Sequence, residues 1–406
     1  MAVIDHIELY LVTAPLPAPF APAWVPGSRR SSTGFYLIRL VTDDGVEGWS
    51  AFSASGAEKV GIGEMVAGVL LGVDPCDIPR VLERLRIMNT GGNVNWWIEP
   101  ACWDIKAKMA GLPLYKMLGG TDDKLQLYAS SGELRDIGAR REEAEARLDE
   151  GFTTFKMRVH DWDEAVDIAQ LQDLARHMGG RQKIAVDCNQ AFRLTRYADA
   201  PDWSLDRAKR FADAAADVGA AWVEEPQFME RYDDMAALAA YSRVPIAGAE
   251  LHIAGYPELR HMVDRGCYHI YQPDAMWAGG VDQCLKSARY CREKGVKFTA
   301  HTWSNGIGFI VNAHVMAASG FASEMPFEYP LSPPGWTAAA RDALLGEGWG
   351  HDRGWFTMPT TPGLGFEIDR TALARFGKCF FRGNRRTSEW MPEAVVSTPK
   401  RETASA

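Results

Sequence analysis

Residues 153–189 read TTFKMRVHDWDEAVDIAQLQDLARHMGGRQKIAVDCN. TTFKMRV (153–159) and KIAVDCN (183–189) are short apolar runs, each finishing on polar or charged groups, with a helical stretch between them. A strand, a helix and a second strand within about thirty residues is the repeat of a parallel sheet. In the first run Lys156 and Arg158 stand two apart, so on a strand both cations point to one face. If that face is interior, the cations need anions beside them; if it meets water, they are an ordinary solvated edge.

The same pattern recurs on both sides. LQLYAS (125–130), AAWVEEP (220–226), PIAGAE (245–250), YHIYQPD (268–274), VKFTAHT (296–302) and FASEMPFE (321–328) bring the total to eight runs. Their starts lie roughly 23 to 37 residues apart, a spacing that suits one βα unit each. Eight such units suit a closed (β/α)8, TIM-type barrel. An open doubly wound sheet is the alternative, but no Gly-rich phosphate turn follows the first strand.

Upstream, residues 1–119 read as strands followed by helices, a compact α+β domain. GFYLIRLVTDDGVEGWSAF is two alternating runs joined at Asp43–Asp44–Gly45, a hairpin signal, and helical patterns follow around 57–71, 78–88 and 96–110. The barrel is expected over 120–330. The remainder, 331–406, is rich in Pro, Gly and Trp, and its PGLGFEIDR reads as one more strand after a turn.

The 406 residues are 47% hydrophobic, enough for a sizeable core. Lys plus Arg number 44 against 53 Asp plus Glu, a net charge of −9, which argues against a general nucleic-acid binder. A small anionic substrate in a local positive pocket remains open. Seven scattered cysteines without a C-x-x-C pair read as reduced, buried thiols. No apolar run of membrane-spanning length occurs, and the N-terminus lacks the basic-then-apolar pattern of a secretory signal, so a cytoplasmic location without a membrane partner is expected.

Active sites of such barrels lie where the strands finish. Here the runs finish in Lys156 and Arg158, Asp187 and Asn189, Glu224 and Glu225, Glu250, Asp274, His301 and Glu328. Each acid alone also reads as a surface group near a helix N-terminus. Three carboxylates on consecutive strands, Asp187, Glu224 and Glu250, would repel one another unless a cation sat between them. Hard oxygen ligands without a Cys or His cluster favour magnesium. Strand alternation lets only one of Glu224 and Glu225 face inward. Asp274 and His301 end neighbouring strands, and a carboxylate on one ring nitrogen raises the basicity of the other, making His301 a candidate general base or acid. A lone His after a strand is also commonly structural, the reading kept for the other eight, including His252.

KMR (156–158), VDCNQ (186–190), WVEEP (222–226), AGAE (247–250), PDAMWAGG (273–280), AHT (300–302) and FE (327–328) together resemble the enolase superfamily, in its mandelate racemase-like acid-sugar dehydratase branch. ACWDIKAKMAGLPLYKMLGG and PGLGFEID extend the resemblance over nearly the whole chain. It implies Mg2+ on Asp187, Glu224 and Glu250, binding the substrate carboxylate. It implies a His301–Asp274 dyad flanking the α-carbon, and Glu328 hydrogen-bonding the carboxylate as charge develops. The α+β domain, completed by the C-terminal segment, would cap the barrel with loops near 23–32 and 48–56. Trp24, Arg30 and Phe52 are the expected substrate contacts there, with Asn189 at the third strand end. Relatives are commonly dimers or octamers, so a homo-oligomer is implied. Lys156 would join the metal in stabilising an enediolate.

Arg158 is a departure. Many relatives carry Lys-x-Lys, whose second Lys is a base opposite the His, whereas a guanidinium stays protonated. Racemisation needs bases on both faces; dehydration of a sugar acid to a 2-keto-3-deoxy acid can use one dyad. A racemase or epimerase of a 2-hydroxy acid is the alternative, with a lactonising or cycloisomerising relative and a non-catalytic sugar-acid-binding barrel behind it. The segments 190–219 and 331–360 are longer than plain connections and could reach the site or build an oligomer contact.

Overall fold

The computed structural model of the protein describes residues 2–91, 94–192 and 200–391. The chain opens with three antiparallel strands, β1 (Ile4–Phe20), β2 (Arg30–Thr42) and β3 (Glu47–Ser53). The β2–β3 hairpin turns where expected. Gly45 supplies φ +87°, and the Thr42 hydroxyl accepts from Val46 N at 2.9 Å. Helices Gly63–Leu70, Ile78–Asn89 and Glu99–Met109 follow; Asp77 caps the second, accepting from Arg80 N.

Eight parallel strands come next: β4 (Lys124–Ser130), β5 (Thr154–Arg158), β6 (Lys183–Asp187), β7 (Val223–Glu224), β8 (Ile246–Gly248), β9 (Ile270–Tyr271), β10 (Lys297–Phe298) and β11 (Phe327–Pro330). Their spatial order is β10-β9-β8-β7-β6-β5-β4-β11. The β10–β11 seam has no ladder pairing among the described residues and is bridged instead by Thr299, whose hydroxyl donates to Pro326 O at 2.9 Å. Inside the barrel, Tyr128, Ala185, Trp222, Ala247 and Ile270 form one apolar layer, with the Tyr128 and Trp222 rings edge to face at 5.1 Å. Phe155 and Met157 belong to the main core, which leaves Lys156 and Arg158 on the interior face of β5.

The tail then returns. β12 (Trp355–Thr357) pairs with the start of β4, and β13 (Gly377–Asn384) adds to β1 as a fourth strand of the first sheet, followed by β14 (Ser388–Trp390). The strand expected at PGLGFEIDR does not form. Gly363 and Gly365 both take left-handed backbone, and Asp369 caps a helix over Arg370–Phe376, so isolated bridges from Gly363 to Pro113 and from Ile368 to Leu345 take the place of a strand.

The sheet domain is tied to the barrel by specific bonds. Trp96 Nε1 donates to Ile253 O at 2.7 Å, and the Glu99 carboxylate accepts from Val281 N and Asp282 N at the start of helix Gly280–Lys294. The loop after β1 is held by Ala23 N donating to Gly132 O and by His160 Nε2 donating to Ala23 O, both at 2.8 Å. Within 190–219, residues 193–199 lie outside the described residues; Trp203 is buried and donates its backbone N–H to Gln190 Oε1.

Candidate active site

Lys156 is fully buried, with Nζ 2.5 Å from Glu224 Oε1, 2.8 Å from Glu328 Oε1 and 3.7 Å from Asp187 Oδ2. Burial alone would depress its pKa; Glu224 and Glu328 more than offset that and hold the ammonium above its ordinary range. Both opening cations therefore face the interior, and their anions are the strand-end acids. Arg158 is fixed on all sides: Nε donates to Ser131 O at 2.7 Å, Nη1 to Asp187 Oδ2 and Asn189 Oδ1, and Nη2 to Ser130 Oγ. Its guanidinium lies against the Trp24 and Trp303 rings, 5.3 and 5.7 Å from their centroids.

The acids stand where the parallel strands turn off. Asp187 also accepts from Asn189 N at 2.8 Å, and Glu224 Oε2 accepts from Trp222 Nε1 and Gln272 Nε2, each at 3.0 Å. Each of the three turns carries a left-handed non-glycine residue: Asn189 (φ +47°), Glu225 (+49°) and Ala249 (+92°). Backbone of this kind is costly and clusters at functional sites. At Glu225 it also suspends the regular strand alternation on which the expectation for Glu224 and Glu225 rested, just past the end of β7. Both are buried. Burial raises the Glu225 carboxyl well above its usual range, and Glu250 and Asp187 raise it further.

His301 closes the ring. Its Nδ1 is 3.1 Å from Asp274 Oδ2 and its Nε2 2.8 Å from Glu250 Oε2, with Glu328 Oε2 at 3.6 Å. Burial would lower the imidazole, but Glu250, Glu328 and Asp274 hold it well above its ordinary value. The other Asp274 oxygen accepts from Met276 N and from Asn312 Nδ2 at 2.8 Å. Glu328 accepts from Thr302 N at 2.7 Å; against the pull of burial, Lys156 and His301 hold it ionised. As placed it is an acceptor, and Lys156 is the donor beside it. Asp187, Glu224 and Glu250 are oxygen donors suited to a hard divalent cation. Each is engaged with a cationic side chain, so that among the described residues no three acidic, His or Cys groups are spaced to hold a metal ion as they stand.

Trp24 joins Phe20, Trp303 and Trp336 in an aromatic wall beside Arg158; Trp24 and Trp303 meet edge to face at 4.7 Å, and Phe20 and Trp336 lie at 5.6 Å. The 331–360 segment thus reaches the site through Trp336. Arg30 begins β2 opposite Phe20. Phe52 is 3% exposed, its ring on Trp97 and 4.3 Å from that of Trp277, in the loop after Asp274.

Residues 139–372 match the enolase C-terminal domain-like family, and residues 6–119 match the mandelate racemase/muconate lactonizing enzyme N-terminal domain. The chain belongs to the mandelate racemase-like branch of the enolase superfamily. The D-galactarolactone cycloisomerase of Agrobacterium fabrum is 26% identical over 393 residues, covering 92% of this chain and 98% of its own. The arabinonate dehydratase of Saccharolobus solfataricus is 28% identical over 348 residues, covering 81% and 87%. The crystal structure of an L-talarate dehydratase from Polaromonas sp. JS666, complexed with Mg and L-glucarate, matches with a TM-score of 0.77 at 23% identity, covering 95% of this chain and all of that one.

In this enolase-superfamily chain, four residues escape sequence reasoning. Ser130 and Ser131 end the first barrel strand and hold Arg158, yet two serines read as any loop. Trp303 lies two residues after His301, and its Nε1–H donates to Ser130 Oγ at 2.8 Å; a tryptophan just past the AHT motif was the available signal. Asn312 sits inside helix Gly306–Ala318, fully buried, and a lone amide in an apolar helix was the clue.

Proposed function

We propose that this enzyme dehydrates a sugar acid, an aldonate or aldarate, to a 2-keto-3-deoxy acid with Mg2+ as cofactor. One observation carries the reading: the two sides of the mouth are unequal. On one side His301 is oriented by Asp274; on the other, Arg158 is a guanidinium locked by hydrogen bonds and two indoles. A group of that kind does not exchange protons at neutral pH.

The donor set fits magnesium, being carboxylate oxygens without thiolate. Asp187, Glu224 and Glu250 would hold the ion, which supplies positive charge to the substrate carboxylate as its oxygens gain electrons. Lys156, kept protonated, adds a second cation against the same developing charge. His301, freed once Glu250 serves another cation, takes the α-proton through Nε2 while Asp274 holds Nδ1–H. The electron pair of the α C–H bond moves onto the substrate carboxylate and then returns to form the Cα–Cβ double bond as the β C–O bond breaks. The hydroxyl departs as water on receiving a proton, which His301 can return, and the enol relaxes to the 2-keto acid.

The cycloisomerase relative supports a second reading, in which the same α-proton is removed but the leaving group is a ring oxygen. The locked Arg158 weighs against racemisation. Incubation with a panel of aldonic acids, aldaric acids and their lactones, analysed by NMR, separates these readings. A 2-keto-3-deoxy product from an acyclic acid supports dehydration; turnover of lactones alone supports the cycloisomerase, and inversion at the α-carbon alone the racemase.

A further inference from the structure

We infer that Glu225 is a fourth carboxylate of the cation site, serving beside Asp187, Glu224 and Glu250. The inference rests on the magnesium reading above and is carried by Glu225's own surroundings. Asp187 has Arg158 and Asn189 N; Glu224 has Lys156, Trp222 and Gln272; Glu250 has His301; Glu328 has Lys156 and Thr302. Glu225 is 1% exposed, and its buried Oε2 meets no hydrogen-bond donor among the described residues. An unpartnered buried carboxylate is among the most costly groups a protein can hold.

The backbone keeps it there. Glu225 N donates to Ala247 O and Gln190 N donates to Glu225 O, both at 2.9 Å, pinning the residue between the β6 and β8 turns. Its φ of +49° is disfavoured for a non-glycine residue, and doubly so before Pro226, since a residue preceding proline favours extended backbone. Strain and missing partner coincide on one residue, wedged between the turns that carry Asp187 and Glu250. A divalent cation shared by these acids supplies the charge Glu225 lacks, either directly or through water.

The test compares the full-length protein with Glu225→Gln and Glu225→Asp, stripped of metal and then titrated with MgCl2 by calorimetry and by thermal unfolding. Without metal, Glu225→Gln should unfold at or above the wild-type midpoint, because the amide replaces a partnerless carboxyl group without asking for a counter-charge. Its Mg2+ affinity should fall about tenfold to a hundredfold, the usual cost of losing a supporting group at a metal site, with Glu225→Asp in between. Unchanged Mg2+ affinity in Glu225→Gln would overturn the inference, and so would failure of that variant to fold without metal. A wild-type protein that does not bind Mg2+ would overturn the magnesium reading itself, and this inference with it.

Discussion

Replacing Arg158 with lysine keeps the charge but removes the planar fork. The guanidinium donates to Ser131 O, Asn189 Oδ1 and Ser130 Oγ besides Asp187, and it lies against two indoles. A lysine can keep the Asp187 pair and at most one other bond. About two hydrogen bonds are lost, worth roughly 1 kcal/mol each, with about another 1 kcal/mol of cation–π contact. The expected cost is therefore about 3 kcal/mol, read as a lower urea midpoint at unchanged slope. Turnover should fall about tenfold through the loosened Asn189 and Ser130–Ser131 turns, and remain well above the floor set by His301→Asn, which loses at least about a hundredfold. Two results would refute this reasoning. Wild-type stability in Arg158→Lys would mean the guanidinium is not locked. Loss of turnover to the His301→Asn floor would put Arg158 among the proton-transfer groups.

Further tests follow from the same contacts. His314, fully buried, accepts from Tyr115 N on Nδ1 and donates from Nε2 to Leu364 O, and burial pushes its pKa down to about 4. The unfolded chain takes that proton near pH 6.5, so this stability is complete above 6.5 and is lost as pH falls towards 4, by about 3 kcal/mol. Urea titrations of wild type and His314→Asn across that window should differ in slope by one proton; equal slopes would count against it. Asn312→Leu removes the amide that steadies Asp274, and should lower kcat about tenfold, the low end for outer groups at catalytic sites, with KM little changed. A change confined to KM would show that Asn312 serves binding instead. Trp24→Ala opens the aromatic wall and should raise KM more than it lowers kcat; the reverse split would move Trp24 from binding to chemistry.

The barrel was legible because each parallel strand is a short apolar run ending in a polar tip, and eight repeats leave little freedom of architecture. The inward pair Lys156 and Arg158 was readable as a conditional, since strand alternation fixes a common face but not which one. Glu225 escaped because alternation presumes regular backbone, and a left-handed residue after Glu224 suspends it. The tail strand was misplaced for a related reason: the glycines and the capping Asp369 of PGLGFEIDR favour a turn into a helix, and pairing with β1 selects Gly377–Asn384 instead. The aromatic wall draws on Phe20, Trp24, Trp303 and Trp336, residues from three distant segments, and no local pattern announces such an assembly.

The central claim is one-sided proton abstraction beside a divalent cation, and product analysis in D2O tests it most directly. Wild-type protein with Mg2+ and the acid panel should yield a 2-keto-3-deoxy acid carrying solvent deuterium at C3, abolished by EDTA and by His301→Asn. Deuterium exchange at the α-carbon with both configurations recovered and no 2-keto acid would contradict it.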